Sequence, residues 1–125
     1  MRPAPAHYRQ RAPIDAYGNG GFRFAGMSHR GSLLILPSGI YAWDVTSIAE
    51  VTVERCAVFL REVKPPGFVL LGTGPTQAFP SVEVRRLFAE ARIGLEPMST
   101  GAAARTFNVL LAEERDVSAG LIAVE

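Results

Sequence analysis

The chain is poor in the residues that announce chemistry. It has one cysteine, Cys56, and a lone thiol excludes an internal disulfide framework and any multi-cysteine zinc site. Its two histidines, His7 and His29, lie far apart in sequence, in an N-terminal segment and a turn, so no metal site is expected. Lys64 is the only lysine, and the basic side chains are otherwise all arginine. That bias is the mark of a GC-rich genome rather than of phosphate recognition. No apolar run approaches the roughly 18 residues of a membrane span; Leu33–Leu36 and Phe68–Leu71 are strand-sized, so the chain is not expected to be an integral membrane protein. Internal repeats and low-complexity tracts are absent as well.

What is present is ordinary globular material. Over 125 residues, 48% are hydrophobic and 20% charged, which argues against global disorder. The length fits one domain and leaves no room for a second core. The net charge is +1, but it is unevenly spread. Residues 1–30 hold Arg2, Arg9, Arg11, Arg23 and Arg30 against a single acid, Asp15, and the remainder is net acidic. Met1–Pro13 is rich in Pro and Ala and has no periodicity, so residues 1–13 are expected to form a disordered arm before a domain over 14–125. The arm has no apolar stretch of a secretory signal, and Pro3, Pro5 and Pro13 spoil an amphipathic presequence helix. A cytoplasmic location is the expectation.

Local patterns divide the chain into two textures. In the first half, Gly18–Gly21 marks a turn, Phe22-Arg23-Phe24 reads as a strand, and Ser28–Gly31 as a polar break. Ser32–Leu36 and Ile40–Trp43 are strands joined by the turn Pro37-Ser38-Gly39, giving an antiparallel, β-rich half. In the second half, Thr52 caps a helix over Val53–Glu62 that Pro65 and Pro66 stop. Phe68–Leu71 is a short apolar strand, and Val82–Ile93 is a helix with Val84, Leu87, Phe88 and Ala91 on one face. Leu95–Met98 is an edge-like strand containing Pro97, followed by a helix over Gly101–Arg115 and a last strand over Val117–Val124. The order is β-α-β-α-β, with Phe68–Leu71 and Leu95–Met98 as parallel neighbours. Leu34, Leu70, Leu87, Phe88, Phe107 and Leu111 form the expected core.

Parallel strand ends that meet leave a crevice, and this one would be walled by Gly72, Thr73 and Gly74 on one side and Ser99, Thr100 and Gly101 on the other. Glycines admit close approach, and a helix N-terminus presents unpaired N–H donors with about half a positive charge. The ligand expected there is a small anion or an acidic side chain of a partner. Asn108 shares the face of Thr100 and Ala104; it reads as a bridge to loop backbone and secondly as a polar group at the pocket edge. The Gly72-Thr73-Gly74-Pro75 loop is neither a dinucleotide fingerprint, since position 77 is Gln, nor a Walker loop, so no cofactor is expected. Cys56 reads as a small core hydrophobe. Arg23 and Arg30 beside Tyr17, Phe22 and Phe24 suggest single-stranded nucleic acid, but five arginines over thirty residues make a thin stripe, and this reading ranks third.

Gly72-Thr73-Gly74, Met98-x-Thr100, Thr100-x-x-x-Ala104-x-Thr106-Phe107-Asn108-x-Leu110 and Glu114-Arg115-x-Val117 recur together in one group of proteins. With Gly31–Pro37 and Trp43, the chain resembles a small single-domain family of bacteria and archaea. That family includes the third assembly factor of mitochondrial respiratory complex I and the animal adipogenesis-associated domain proteins. The likeness covers most of Ile14–Val124; Phe107 stands where many relatives carry Tyr. The resemblance implies a three-layer α/β fold with a mixed central sheet and extra β structure from the N-terminal half. It brings no catalytic residues. It implies a non-catalytic role with protein partners, in assembling a membrane complex; a small-molecule or anion-binding protein, or an enzyme using the crevice, is the alternative.

Overall fold

Ser32–Leu36 is buried along its whole length, which only a strand covered on both faces can achieve. The computed structural model describes residues 8–125 and places this strand near the middle of a five-stranded sheet. The elements in chain order are β1 (Ile14–Gly18), β2 (Gly21–Phe24), β3 (Met27–Arg30), β4 (Ser32–Leu36) and β5 (Gly39–Trp43). After a 3-10 turn at Ile48–Glu50 come α1 (Val53–Cys56), β6 (Phe68–Gly72), α2 (Val82–Glu90), β7 (Gly94–Met98), α3 (Thr100–Ala112) and β8 (Val117–Leu121).

The large sheet has the order β5-β4-β8-β6-β7 and is mixed. β6 runs parallel to β7 and β8, whereas β4 is antiparallel to β5 and β8. Alternation along the strands feeds two cores. Leu33, Ile35, Leu70 and Ala119 pack with Phe22 and Phe24 of the small β1-β2-β3 sheet and with Phe107 of α3. Leu34, Leu36, Val69 and Leu71 pack on the other side with Phe59, Val84 and Phe88. The result is three layers: α3 with the small sheet, the mixed sheet, and α1 with α2. On the second side Trp43 lies over Gly120, where an added Cβ would come within 2.6 Å of the indole. Trp43 Nε1 donates to Arg55 O at 3.2 Å, and Phe59 meets Trp43 edge-on.

The parallel β6–β7 pair matches the expectation, with Phe68 opposite Gly94 and Gly72 opposite Met98. Gly94 N donates to Gly67 O and Thr73 N to Met98 O. Gly94, Glu96 and Met98 therefore turn their peptide groups to β6, and Leu95 and Pro97 turn theirs outward. Pro97 sits at a position whose missing N–H costs the ladder nothing. Its carbonyl accepts from Gln77 Nε2 at 3.0 Å.

Several expectations are corrected. The polar break expected at Ser28–Gly31 is largely strand β3, paired with β2. Both hairpins of the small sheet close through two residues of positive φ, Asn19-Gly20 and Ala25-Gly26, a geometry that sets strand register without any apolar run. The helix expected over Val53–Glu62 is one α-turn, capped by Thr52 as expected, followed by a 3-10 turn over Ala57–Leu60. The last strand ends at Leu121, because Ile122 O accepts from Thr100 Oγ1 instead of from β6 and Ala123 N donates to Ser32 Oγ. Leu87 and Leu111 are half-buried, whereas Leu34, Leu70, Phe88 and Phe107 are buried.

Residues 8–13, read as part of a disordered arm, pack on the domain. Ile40 N donates to Tyr8 O at 2.9 Å, Arg11 Nη1 donates to Val117 O at 3.0 Å, and Ala12 is buried. Residues 1–7 of the expected arm lie outside the described residues.

Candidate functional site

Because β6 and β7 are parallel, their C-terminal ends lie together, and α3 begins two residues after β7. Ser99 caps α3, its Oγ accepting from Ala102 N. This brings Gly72–Gly74 against Ser99–Gly101 as expected: Thr100 N donates to Gly74 O at 2.8 Å and Gly74 N to Thr100 Oγ1 at 3.0 Å. The expected ligand contacts, however, are consumed by the fold. Thr100 is fully buried, and its hydroxyl also donates to Ile122 O at 2.7 Å. Thr73 Oγ1 accepts from Ala78 N at 3.0 Å and donates to Thr76 O at 2.7 Å, holding the next loop. A Cβ on Gly72 would come within 3.1 Å of Thr100 Cα, so the space that glycine leaves is filled by α3. Gly74 is required for its backbone, at φ +110°, and has open space around it.

Asn108 is not at the crevice. Its Oδ1 accepts from Ile14 N and its Nδ2 donates to Ile14 O, both at 2.8 Å, so it serves strand β1.

Outside the stitched backbone a cavity of about 470 Å³ remains, walled by Gly74, Pro75, Ser99 and Gly101. Tyr17, Arg105, Val124 and Glu125 complete it, and Arg105 Nη1 donates to the Tyr17 hydroxyl at 3.1 Å. Sequence reasoning missed these side chains. Arg105 was findable, four residues after Gly101 and so on the same helical face. Tyr17 reaches the site from the small sheet, and only tertiary structure brings it there; its phenol lies where a side chain at position 101 would begin. The wall offers a guanidinium, a phenol, a capping serine and a carboxylate. These groups can hold a polar or charged group by hydrogen bonds and charge.

Other candidates fall elsewhere. Burial pushes the Cys56 thiol up to about 12, so it stays protonated. Asp44 pairs with Arg55 at 3.4 Å. Phe22 and Phe24 are buried and unavailable for stacking bases, which removes two aromatics from the nucleic-acid reading. Among the described residues, no three His, Cys, Asp or Glu side chains come together to hold a metal ion. No helix among them is long and apolar enough to cross a membrane.

The model of a family of proteins of unknown function, DUF498/DUF598, matches residues 14–122. The chain belongs to the DUF498/DUF598 family. Within the curated proteins, this DUF498/DUF598 chain is 34% identical to an uncharacterised protein of Rhodobacter capsulatus over 98% of this chain and 93% of that one. It is 29% identical to the mouse NADH dehydrogenase [ubiquinone] 1 alpha subcomplex assembly factor 3 over 94% of its own length. It spans 63% of that assembly factor. The likeness seen in Gly72–Gly74, Met98–Leu110 and Glu114–Val117 therefore belongs to a family that includes this assembly factor. Among solved structures, a crystal structure described as an outer membrane protein of Bartonella henselae superimposes with a TM-score of 0.90. It is 55% identical, covering 95% of this chain and all of that one.

Proposed function

We propose that this DUF498/DUF598 protein is a non-catalytic binding factor that assists the assembly of a membrane respiratory complex from the cytoplasmic side. The observation that carries this reading is the likeness to the complex assembly factor along 94% of the chain. The site chemistry supports it. The crevice offers hydrogen-bond donors and the Arg105 guanidinium, able to hold an acidic side chain of a partner protein, beside the Glu125 carboxylate, and the threonines next to it are occupied in holding loops.

The test is deletion in the native cell, followed by native gel analysis of membrane NADH dehydrogenase. Accumulation of partly assembled complex, reversed by the wild-type chain and not by Arg105→Glu, is the expected result. Normal assembly in the deletion strain overturns the reading.

The cavity beside Arg105 also favours a second reading, a small-anion site at Gly74, Ser99 and Gly101. Phosphate titration followed by amide chemical shifts tests it. Shifts centred on Gly101 that vanish in Arg105→Gln support it, and shifts elsewhere dismiss it.

A further inference from the structure

Among the described residues that wall the crevice, Glu125 is the only acid and Arg105 the only base. Both side chains are exposed and both face one cavity of about 470 Å³. No ion pair joins them among the described residues, although Asp44 and Arg55 pair on the surface elsewhere. Arg105 Nη1 is turned to the Tyr17 hydroxyl instead. The cavity therefore presents two opposite charges, each open to a visitor.

Glu125 is set there by the backbone that leads to it. Ile122 O accepts from Thr100 Oγ1 at 2.7 Å, Ala123 N donates to Ser32 Oγ at 2.9 Å, and Val124 O accepts from Gly20 N at 2.8 Å. These bonds run the segment between the start of α3 and the β1–β2 turn and deliver residue 125 to the rim. Glu125 Oε2 lies 3.7 Å from the point where a Cβ on Gly20 would stand. Arg30 Nη1 lies 4.0 Å from the same point, outside the cavity wall.

A carboxylate beside the guanidinium changes what the crevice accepts. A ligand that carries an acid alone is attracted by Arg105 and repelled by Glu125, and the two effects oppose each other. A ligand that carries a base next to its acid is attracted by both. Juxtaposed like charges are a means of refusing a wrong partner. We propose that Glu125 sets the specificity of the crevice, admitting a partner segment that offers an acidic side chain to Arg105 together with a basic side chain to Glu125. This rests on the crevice being a partner-binding site, and narrows its partner from an acidic segment to one of paired opposite charges. Alternate side chains of an extended segment point to one side, about 6.6 Å apart, so residues i and i+2 of such a segment can present the pair.

Amide chemical shifts of the full chain, titrated at fixed ionic strength with the blocked tripeptides Glu-Gly-Lys and Glu-Gly-Gln, read the discrimination. Both peptides are expected to shift Gly101 and Arg105. Glu-Gly-Lys binds about two- to fivefold more tightly, the range for an exposed ion pair. In Glu125→Gln that preference disappears, and Glu-Gly-Gln binds more tightly than it does to the wild type. In Glu125→Lys the preference reverses. Position 125 is exposed, and an unchanged thermal melt shows that both variants fold. Peptides that leave Gly101 and Arg105 unshifted overturn the crevice as a binding site, and its specificity with it. Binding at Gly101 and Arg105 that does not distinguish the two peptides overturns the role of Glu125 alone. So does a preference that survives Glu125→Gln.

Discussion

Asn108 and Ile14 exchange a pair of hydrogen bonds, each 2.8 Å long, in which the side-chain amide meets both peptide groups of one residue. The amide takes the place of a neighbouring strand at the free edge of β1 and fastens the small sheet to α3. Asn108→Leu leaves the Ile14 N–H and C=O without partners. Stranding a buried polar group costs about 1–3 kcal/mol, so the variant should lose about 2 kcal/mol or more in urea denaturation. An unchanged midpoint means that water replaces the amide at no cost.

Thr100 is the corresponding fastening at the crevice. Its hydroxyl takes the Gly74 N–H and gives its proton to Ile122 O. Thr100→Val keeps the shape and strands both groups, so it should lower stability by about 1–3 kcal/mol for each group. Thr100→Ser restores the bonds and should recover most of the loss. Thermal melts of the three proteins decide it. The valine variant is therefore a probe of folding rather than of ligand binding.

Phe107 is fully buried between α3 and the mixed sheet. Phe107→Ala should cost about 3–5 kcal/mol, the range for emptying an aromatic site in a packed core. Equilibrium denaturation measures it, and a cost below 1 kcal/mol, roughly that of a surface change, contradicts the packing described.

Cys56 carries the clearest pH signature. Burial raises its thiol from 9.0 to about 12. The folded state therefore holds this proton more tightly than the unfolded chain does. The associated stability is complete below the unfolded thiol's value and is lost as pH rises from there toward 12. Cys56→Ala should flatten that alkaline decline, whatever it does to packing. At mildly alkaline pH a disulfide reagent should modify Cys56 at the rate of unfolding; rapid labelling of the native protein contradicts the burial.

Much of this architecture is legible in the sequence where an apolar period is long. Val84, Leu87 and Phe88 give α2, Ala103, Ala104 and Phe107 give α3, and the unbroken run Phe68–Leu71 gives a strand buried on both faces. β3 escapes because its strand is specified by the Ala25-Gly26 turn and not by its own side chains, which are half wet. Tyr8–Pro13 escapes because its hold is one backbone bridge, one guanidinium on a distant carbonyl and one small buried side chain, none of which leaves a period. Meeting of the two loops at the crevice follows from parallel pairing and is legible. The use of Thr73 and Thr100 is not: a hydroxyl near a helix N-terminus serves a ligand or its own backbone with the same sequence signature.

Pro97 has a consequence for the protein in crowded solution. The outward margin of β7 carries one backbone donor, at Leu95, where a ladder needs a repeating row, and the neighbouring carbonyl is already taken by Gln77. A stray extended chain, or the same margin of another molecule, finds no template there for cross-β growth.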